Sequence, residues 1–233
     1  GANVQEKFAA WRDPQMKLTS LQVDKKAKTV TATYNLPEVK ADLTIAYRAT
    51  ENGTLNVTQS LKTTPGAEMP EMMRFGMVMN LPYAMDQAEW YGRGPVENYS
   101  DRKLSQNVGI YKATADQLFY PYVRPQETGT MSDLRWWNIK DNNGFGLRIE
   151  SDALFSASAL HYDLYTLDEG KEKKQRHSQS LPKSQYTNLF IDLVQAGVGG
   201  VDSWSEWGRA RKGHGVEYKD YTFSFRISPK TLY

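Results

Sequence analysis

Alternation constrains this chain more than any other feature. Thr29-Val30-Thr31-Ala32-Thr33-Tyr34 is rich in β-branched residues and changes character at every second position. Successive side chains of a strand point to opposite faces, so this is how a half-buried strand reads. Residues 43–48 and 54–58 repeat the pattern on either side of Glu51-Asn52-Gly53. An Asn-Gly pair supplies the positive φ angles of a tight hairpin, so the two runs are expected to pair. A second hairpin is expected over residues 136–149, turning through Asp141-Asn142-Asn143-Gly144. Further strands are expected at 75–81, 87–91, 108–111, 153–161, 187–194 and 218–227. Helical signals are confined to short stretches at 5–11, 114–118 and 162–168. Many short strands punctuated by Gly, Pro, Asn and Asp favour an antiparallel sandwich or barrel over an α/β fold.

Composition removes several function classes. The 233 residues carry 29 Lys+Arg against 27 Asp+Glu and no cysteine. A formal charge of +2 is too balanced for a nucleic-acid footprint, which is a dense basic stripe. Without cysteine there is no disulfide, no thiolate metal site and no cysteine nucleophile. No apolar run approaches the roughly 20 residues of a membrane span, so neither nucleic acid nor membrane is expected as a partner. The start, Gly1-Ala2-Asn3-Val4-Gln5-Glu6-Lys7, has no initiator Met and no basic-then-apolar leader, and reads as the edge of an excised fragment. Residues 1–12 are expected to form a linker or entry segment and 13–233 a single domain. Thr63-Thr64-Pro65-Gly66-Ala67-Glu68-Met69-Pro70 reads as a loop, and the charge run 171–176 as a solvated face.

Several chemical motifs fail on inspection. Gly197-Val198-Gly199-Gly200 begins like a dinucleotide fingerprint, but Asp202 stands where the third glycine is required. The Asp141 turn lacks the spacing and terminal Glu of a calcium loop. His161, His177 and His214 are far apart in sequence, so no metal site is expected. Glycoside hydrolysis needs two carboxylates flanking one bond, about 5–5.5 Å apart in retaining enzymes. Glu89, Glu97, Asp101, Glu127 and Asp133 are available, but each lies near an Arg or in a Gly/Pro-rich stretch, where structural ion pairing is the simpler expectation.

Three segments combine glycine and proline with aromatics, Arg and carboxylates. They are Glu89-Trp90-Tyr91-Gly92-Arg93-Gly94-Pro95-Val96-Glu97-Asn98-Tyr99-Ser100-Asp101-Arg102, the stretch from Tyr120 to Trp136, and Gly197-Val198-Gly199-Gly200-Val201-Asp202-Ser203-Trp204. Such stretches are either rigid loops held by internal ion pairs or sites for a polar ligand with apolar faces. Sugars are that kind of ligand, because their C–H faces stack on indole and their hydroxyls need paired donors and acceptors.

The same segments resemble the signatures of the C-terminal "small chain" domain of large β-galactosidases of glycoside hydrolase family 2. Trp90-Tyr91-Gly92-Arg93-Gly94-Pro95 with Glu97-Asn98-Tyr99 and Asp101-Arg102 matches one signature. Tyr122-Val123-Arg124-Pro125-Gln126-Glu127 with Gly129 matches a second, and Gly197-Val198-Gly199-Gly200 with Asp202-Ser203-Trp204 a third. The resemblance runs from about Trp11 to the end. Val96, Ser100, Thr128 and Val201 depart from the usual residues, Val201 replacing the first Asp of Asp-Asp-Ser-Trp.

The resemblance implies an all-β, large antiparallel β-supersandwich of the galactose mutarotase type, with few short helices. It implies that no catalytic residue lies in this chain, because the catalytic glutamates and any Mg and Na ligands belong to an upstream barrel of the parent. No cofactor is implied for this domain itself. Trp204 is the implied substrate-binding residue, closing one side of a galactoside pocket shared with that barrel. The remaining domains of a homo-oligomeric parent are the implied partners; neither the resemblance nor the residues choose between cytoplasm and periplasm. Two rival readings use the same fold: a stand-alone carbohydrate-binding module, and an aldose 1-epimerase needing a His acid beside a Glu base, with His161 or His177 as the acid.

Overall fold

The computed structural model describes residues 2–168, 170–171, 176–202 and 204–231. Among them, antiparallel strands form one continuous eleven-stranded sheet. In chain order they are β1 (Lys17–Asp24), β2 (Thr29–Leu36), β3 (Ala41–Ala49), β4 (Leu55–Thr63), β5 (Arg74–Pro82), β6 (Gln87–Gly94), β7 (Asn107–Thr114), β8 (Met131–Lys140), β9 (Phe145–Leu160), β10 (Tyr186–Gln195) and β11 (Tyr221–Thr231). Across the sheet the order is β1-β2-β3-β4-β11-β9-β8-β6-β7, while β10 joins β9 and carries β5 on its other side. The all-β expectation holds. The α-helices are one turn each: α1 (Val4–Lys7), α2 (Ala9–Arg12), α3 (Ala115–Leu118) and α4 (Leu164–Leu167). None is long and apolar enough to cross a membrane.

Burial follows the alternation that the sequence shows. Val57, Gln59 and Leu61 of β4, Ala88 and Trp90 of β6, and Phe223, Phe225 and Ile227 of β11 are all buried at every second position. Residues from both arms of the sheet, such as Leu36 and Val57 on one and Phe75 and Leu189 on the other, join a single core. A sheet with one continuous core must curl so that its arms face each other. Trp90 stacks on Trp137 with ring centroids 5.3 Å apart. Burying an apolar side chain of this size contributes about 1.5–3 kcal/mol.

The hinge of the architecture is β9. Its first part pairs with β11 from Phe145 to Glu150, and its last part pairs with β10 from Ser156 to Leu160. On its other edge it pairs with β8 regularly from Gly146 to Glu150 and again, across register shifts, at Phe155 and Ala157. Sequence suggested two separate strands here, because Ser151-Asp152 breaks the apolar pattern; those residues are where β9 exchanges one neighbour for another. Strand β1 was not anticipated. A bulge between Leu18 and Ser20 inserts Thr19 and shifts the phase, so Leu18, Leu21 and Val23 do not read as one alternating run. Strand β8 starts at Met131, earlier than expected, because Asp133 adopts φ 53° within it and disguises the strand.

The turns behave as their residues require, with one correction. Gly53 has φ 80°, but Asn52 does not share a positive φ, so the β3–β4 connection is a longer loop from Thr50 to Thr54. The β8–β9 turn is a hairpin, with the Asp141 carboxylate accepting the backbone N–H groups of Asn143 and Phe145 at 2.8 and 3.0 Å. Helix α3 carries a complete capping box between Thr114 and Gln117, whereas the expected helix at 5–11 breaks at Phe8. Trp11 docks this entry onto the segments that lead into β5 and β11, donating Nε1–H to the Pro70 carbonyl at 2.8 Å and meeting the Tyr218 ring. Most of the 171–176 charge run, and Ser203, lie outside the described residues.

Candidate functional site

The first two sequence segments interlock around Glu97. Its carboxylate accepts the Gly129 N–H at 2.7 Å and the Thr128 hydroxyl at 3.2 Å. Tyr122 and Arg102 also donate to it. Beside it, Glu127 accepts the Thr130 hydroxyl at 3.0 Å and pairs with Arg74. The Tyr99 hydroxyl stands 3.5 Å from an oxygen of each glutamate. Burial, then the charges of Glu127 and Glu97, push the Tyr99 pKa well up, so Tyr99 stays protonated as a donor.

Arg74 reaches further, to Asp192 at 3.4 Å. The Asp192 side chain is only 3% exposed, and burial pushes its pKa up to about 6 despite the opposing pull of Arg74. Sequence reading singled out neither residue. Asp192 sits inside the apolar run Leu189-Phe190-Ile191-Asp192-Leu193-Val194, and a lone acid within an apolar strand was the available signal.

The other carboxylates are engaged as well. Asp133 accepts from Arg93 Nε at 2.5 Å and from Lys103 Nζ at 2.7 Å. Burial raises its pKa, but hydrogen bonds from Lys103 and Arg93 outweigh that and hold it low. Glu89 accepts from Asn138 at 3.0 Å and pairs with Lys112 at 3.1 Å, and its pKa is likewise lowered against the cost of burial. A general acid or nucleophile must be available to a substrate. Glu89, Glu97, Glu127 and Asp133 are instead spent on ion pairs, and Asp101 on backbone N–H groups.

Asp101 does the most instructive work. Its carboxylate accepts the N–H groups of Val198 at 3.2 Å and Gly199 at 2.9 Å, joining the first segment to the third. A Cβ on Gly197 would overlap that carboxylate, so glycine is required for close approach. Gly197 and Gly199 thus let the backbone close around this anchor, while Gly200 lies against the Trp207 carbonyl and Gly208. Asp202 then builds the tip, accepting the N–H groups of Trp204 and Ser205 at 2.8 and 2.7 Å and the Ser205 hydroxyl at 2.8 Å. These bonds, led by that from the Ser205 N–H, lower its pKa. Val201 does not disturb this turn: its own N–H goes to the Trp207 carbonyl. The outcome is an indole held outward, with Trp204 87% exposed. Trp207, which the sequence reading passed over, is 64% exposed on the same loop.

The histidines do not assemble an epimerase site. His161 is buried, stacked 3.8 Å from the Tyr83 ring, with Nδ1 3.4 Å from the Thr187 hydroxyl and Nε2 3.9 Å from Asp86. No glutamate is among those contacts. His177 is an exposed residue preceding a 3₁₀ turn at Ser178–Ser180. Among the described residues no three His, Asp or Glu side chains converge as a metal ion would need.

The family model described as "Beta galactosidase small chain" matches residues 3–227. A β-galactosidase of Priestia megaterium is 31% identical over 88% of this chain, which covers 19% of that protein. A β-galactosidase of Lactobacillus delbrueckii subsp. bulgaricus is 33% identical over 88% of this chain and 20% of its own length. The chain thus spans about a fifth of these relatives. Among solved structures, the GalM/aldose epimerase homologue from C. elegans overlays 94% of this chain and 69% of its own, at 10% identity and a TM-score of 0.44. With the matched model extending over nearly its whole length, the chain belongs to the β-galactosidase small-chain family.

Proposed function

We propose that this chain is the C-terminal domain of a β-galactosidase of glycoside hydrolase family 2, and that it completes the substrate pocket without performing the chemistry. Residues 13–233 form the domain and residues 1–12 the entry to it. The parent hydrolyses terminal β-D-galactosides with retention, using carboxylates, and Mg and Na where required, on an upstream barrel. The observation that carries the reading is Trp204, an exposed indole at the tip of a loop held by Asp101 and Asp202. An indole so fixed offers a rigid apolar face to a sugar ring, at little entropic cost on binding. The engagement of Glu89, Glu97, Asp101, Glu127 and Asp133 in internal bonds supports placing the catalytic pair elsewhere.

The test is kinetic. A chromogenic β-galactoside should be left intact by this chain alone and hydrolysed by the full-length polypeptide. In that polypeptide Trp204→Ala should raise KM with a smaller loss in kcat, and Trp204→Phe should recover part of the affinity. Turnover by the chain alone that vanishes when one of its own carboxylates is substituted would overturn the reading.

A further inference from the structure

Four of the six tryptophans are packed. Trp90 lies on Trp137, Trp136 meets Tyr91 with the Arg148 guanidinium over it, and Trp11 meets Tyr218. Among the described residues Trp204 and Trp207 touch no other ring and no cation, and they are 87% and 64% exposed. Tryptophan is highly buried on average, so two bare indoles three residues apart need a reason.

The backbone that carries Trp207 is fixed. Its N–H donates to the Ser205 hydroxyl at 3.1 Å, and its carbonyl accepts the Val201 N–H at 2.8 Å. The Gly208 N–H donates to the Ser205 carbonyl at 3.2 Å and closes the turn. A Cβ on Gly200 would stand 2.6 Å from the Trp207 carbonyl oxygen, so glycine is what lets the two arms of the loop meet. None of these bonds involves the indole. The loop thus holds Trp207 still and leaves its ring without a partner, as it does at Trp204. A large apolar face with little freedom left to lose is the surface on which a sugar ring stacks. Three residues span at most about 11 Å, so one oligosaccharide can reach both indoles. With Trp204 at the pocket for a terminal galactose, the substrate can extend only on its leaving-group side. From these observations we propose that Trp207 determines specificity: its indole stacks on a sugar unit beyond the terminal galactose, and the preferred substrates are oligosaccharides ending in β-galactose rather than simple galactosides. The assignment rests on the pocket role proposed for Trp204.

The full-length polypeptide provides the test. Galactose release is followed with methyl β-D-galactoside and with β-1,3-, β-1,4- and β-1,6-linked galactotriose, keeping the trisaccharide hydrolysed best. Trp207→Ala should lower the ratio of kcat/KM for trisaccharide over methyl galactoside by about fivefold or more, chiefly through KM, and Trp207→Phe should keep most of it. The intrinsic reactivity of the two leaving groups cancels when variants are compared. Trp204→Ala should lower kcat/KM for both substrates. Where it does so and Trp207→Ala leaves the ratio within about twofold of the parent's, the pocket reading stands and this assignment is overturned. An unchanged ratio with a lower melting temperature would overturn it likewise, placing Trp207 against another domain of the parent. No loss on either substrate with Trp204→Ala would overturn the pocket reading, and this assignment with it.

Discussion

The cluster around Glu97 and the loop that carries Trp204 are built from the same kinds of residue, and the fold uses them in opposite ways. Around Glu97, carboxylates and cations turn inward: Glu97, Glu127, Arg74 and Asp192 are joined with Tyr99, Tyr122 and Thr128 into one network. In the loop, the carboxylates of Asp101 and Asp202 bind backbone N–H groups, and the side chain they position is left in solvent. Buried charge must be fully partnered to be tolerated, whereas a carboxylate bonded to backbone can hold a loop and leave its side chains free. Composition alone does not separate a structural cluster from a binding loop; the direction in which its hydrogen bonds point does.

The sharpest way to break this contrast is at Arg74. Arg74→Met should cost about 3–5 kcal/mol of folding stability, since it strands Asp192 and Glu127 without their cation. Adding Asp192→Leu should return a good part of that loss, measurable by denaturant unfolding of both variants. A cost below about 1 kcal/mol would mean that the inward network contributes little.

Trp204 should show the reverse pattern. In the full-length polypeptide Trp204→Ala should weaken galactoside binding by about 1–3 kcal/mol, the range for losing a large apolar contact. Its melting temperature should barely move, because an 87% exposed side chain supports no core. A large drop in melting temperature with unchanged KM would place Trp204 on the structural side of the comparison.

Asp192 gives a pH signature. Its folded pKa of about 6 lies above the ordinary unfolded value of about 3.9. The native state therefore holds a proton that the unfolded chain releases between those values. Stability from this group is complete below pH 4 and falls as pH rises through 6. Asp192→Asn should remove that decline, a slope of at most about 1.4 kcal/mol per pH unit. Asp133 and Glu89, whose pKa values are lowered, work in the other direction, losing their contribution as pH falls below about 4. They are common to both proteins, so the difference in slope reports Asp192; identical slopes would show that it does not titrate there.

The smallest effect is expected at the anchor. Asp101→Ala removes two hydrogen bonds to the loop and should cost about 1–2 kcal/mol. It should also raise KM in the full-length polypeptide, through loss of pre-organisation rather than of contact. If the substitution leaves KM and the exchange rates of the Val198 and Gly199 amides unchanged, Asp101 does not position Trp204.

Strand identity was legible wherever burial alternates without interruption, as in β4, β6 and the first part of β11, and in β2 from its run of β-branched residues. It was lost at β1 and the start of β8, where a bulge or a positive φ at Asp133 shifts the phase that periodicity depends on. The candidate site divides likewise. The segments bearing Glu97, Glu127, Asp101 and Trp204 stood out through Gly, Pro and aromatic clustering. Arg74, Asp192 and Trp207 carried no comparable local mark.

Local chemistry was therefore within the reach of the sequence alone: period-two burial, the positions of the turns at Gly53 and Asp141, and the three family segments. These depend on residues within a few positions of one another, where backbone sterics and side-chain alternation act directly. Only the tertiary structure decided which carboxylates are consumed and which loop is presented. Arg74 meets Glu127 across 53 positions and Asp101 meets Gly199 across 98. Such pairings arise from the curl of the sheet, and from β9 changing partners, which no local pattern encodes.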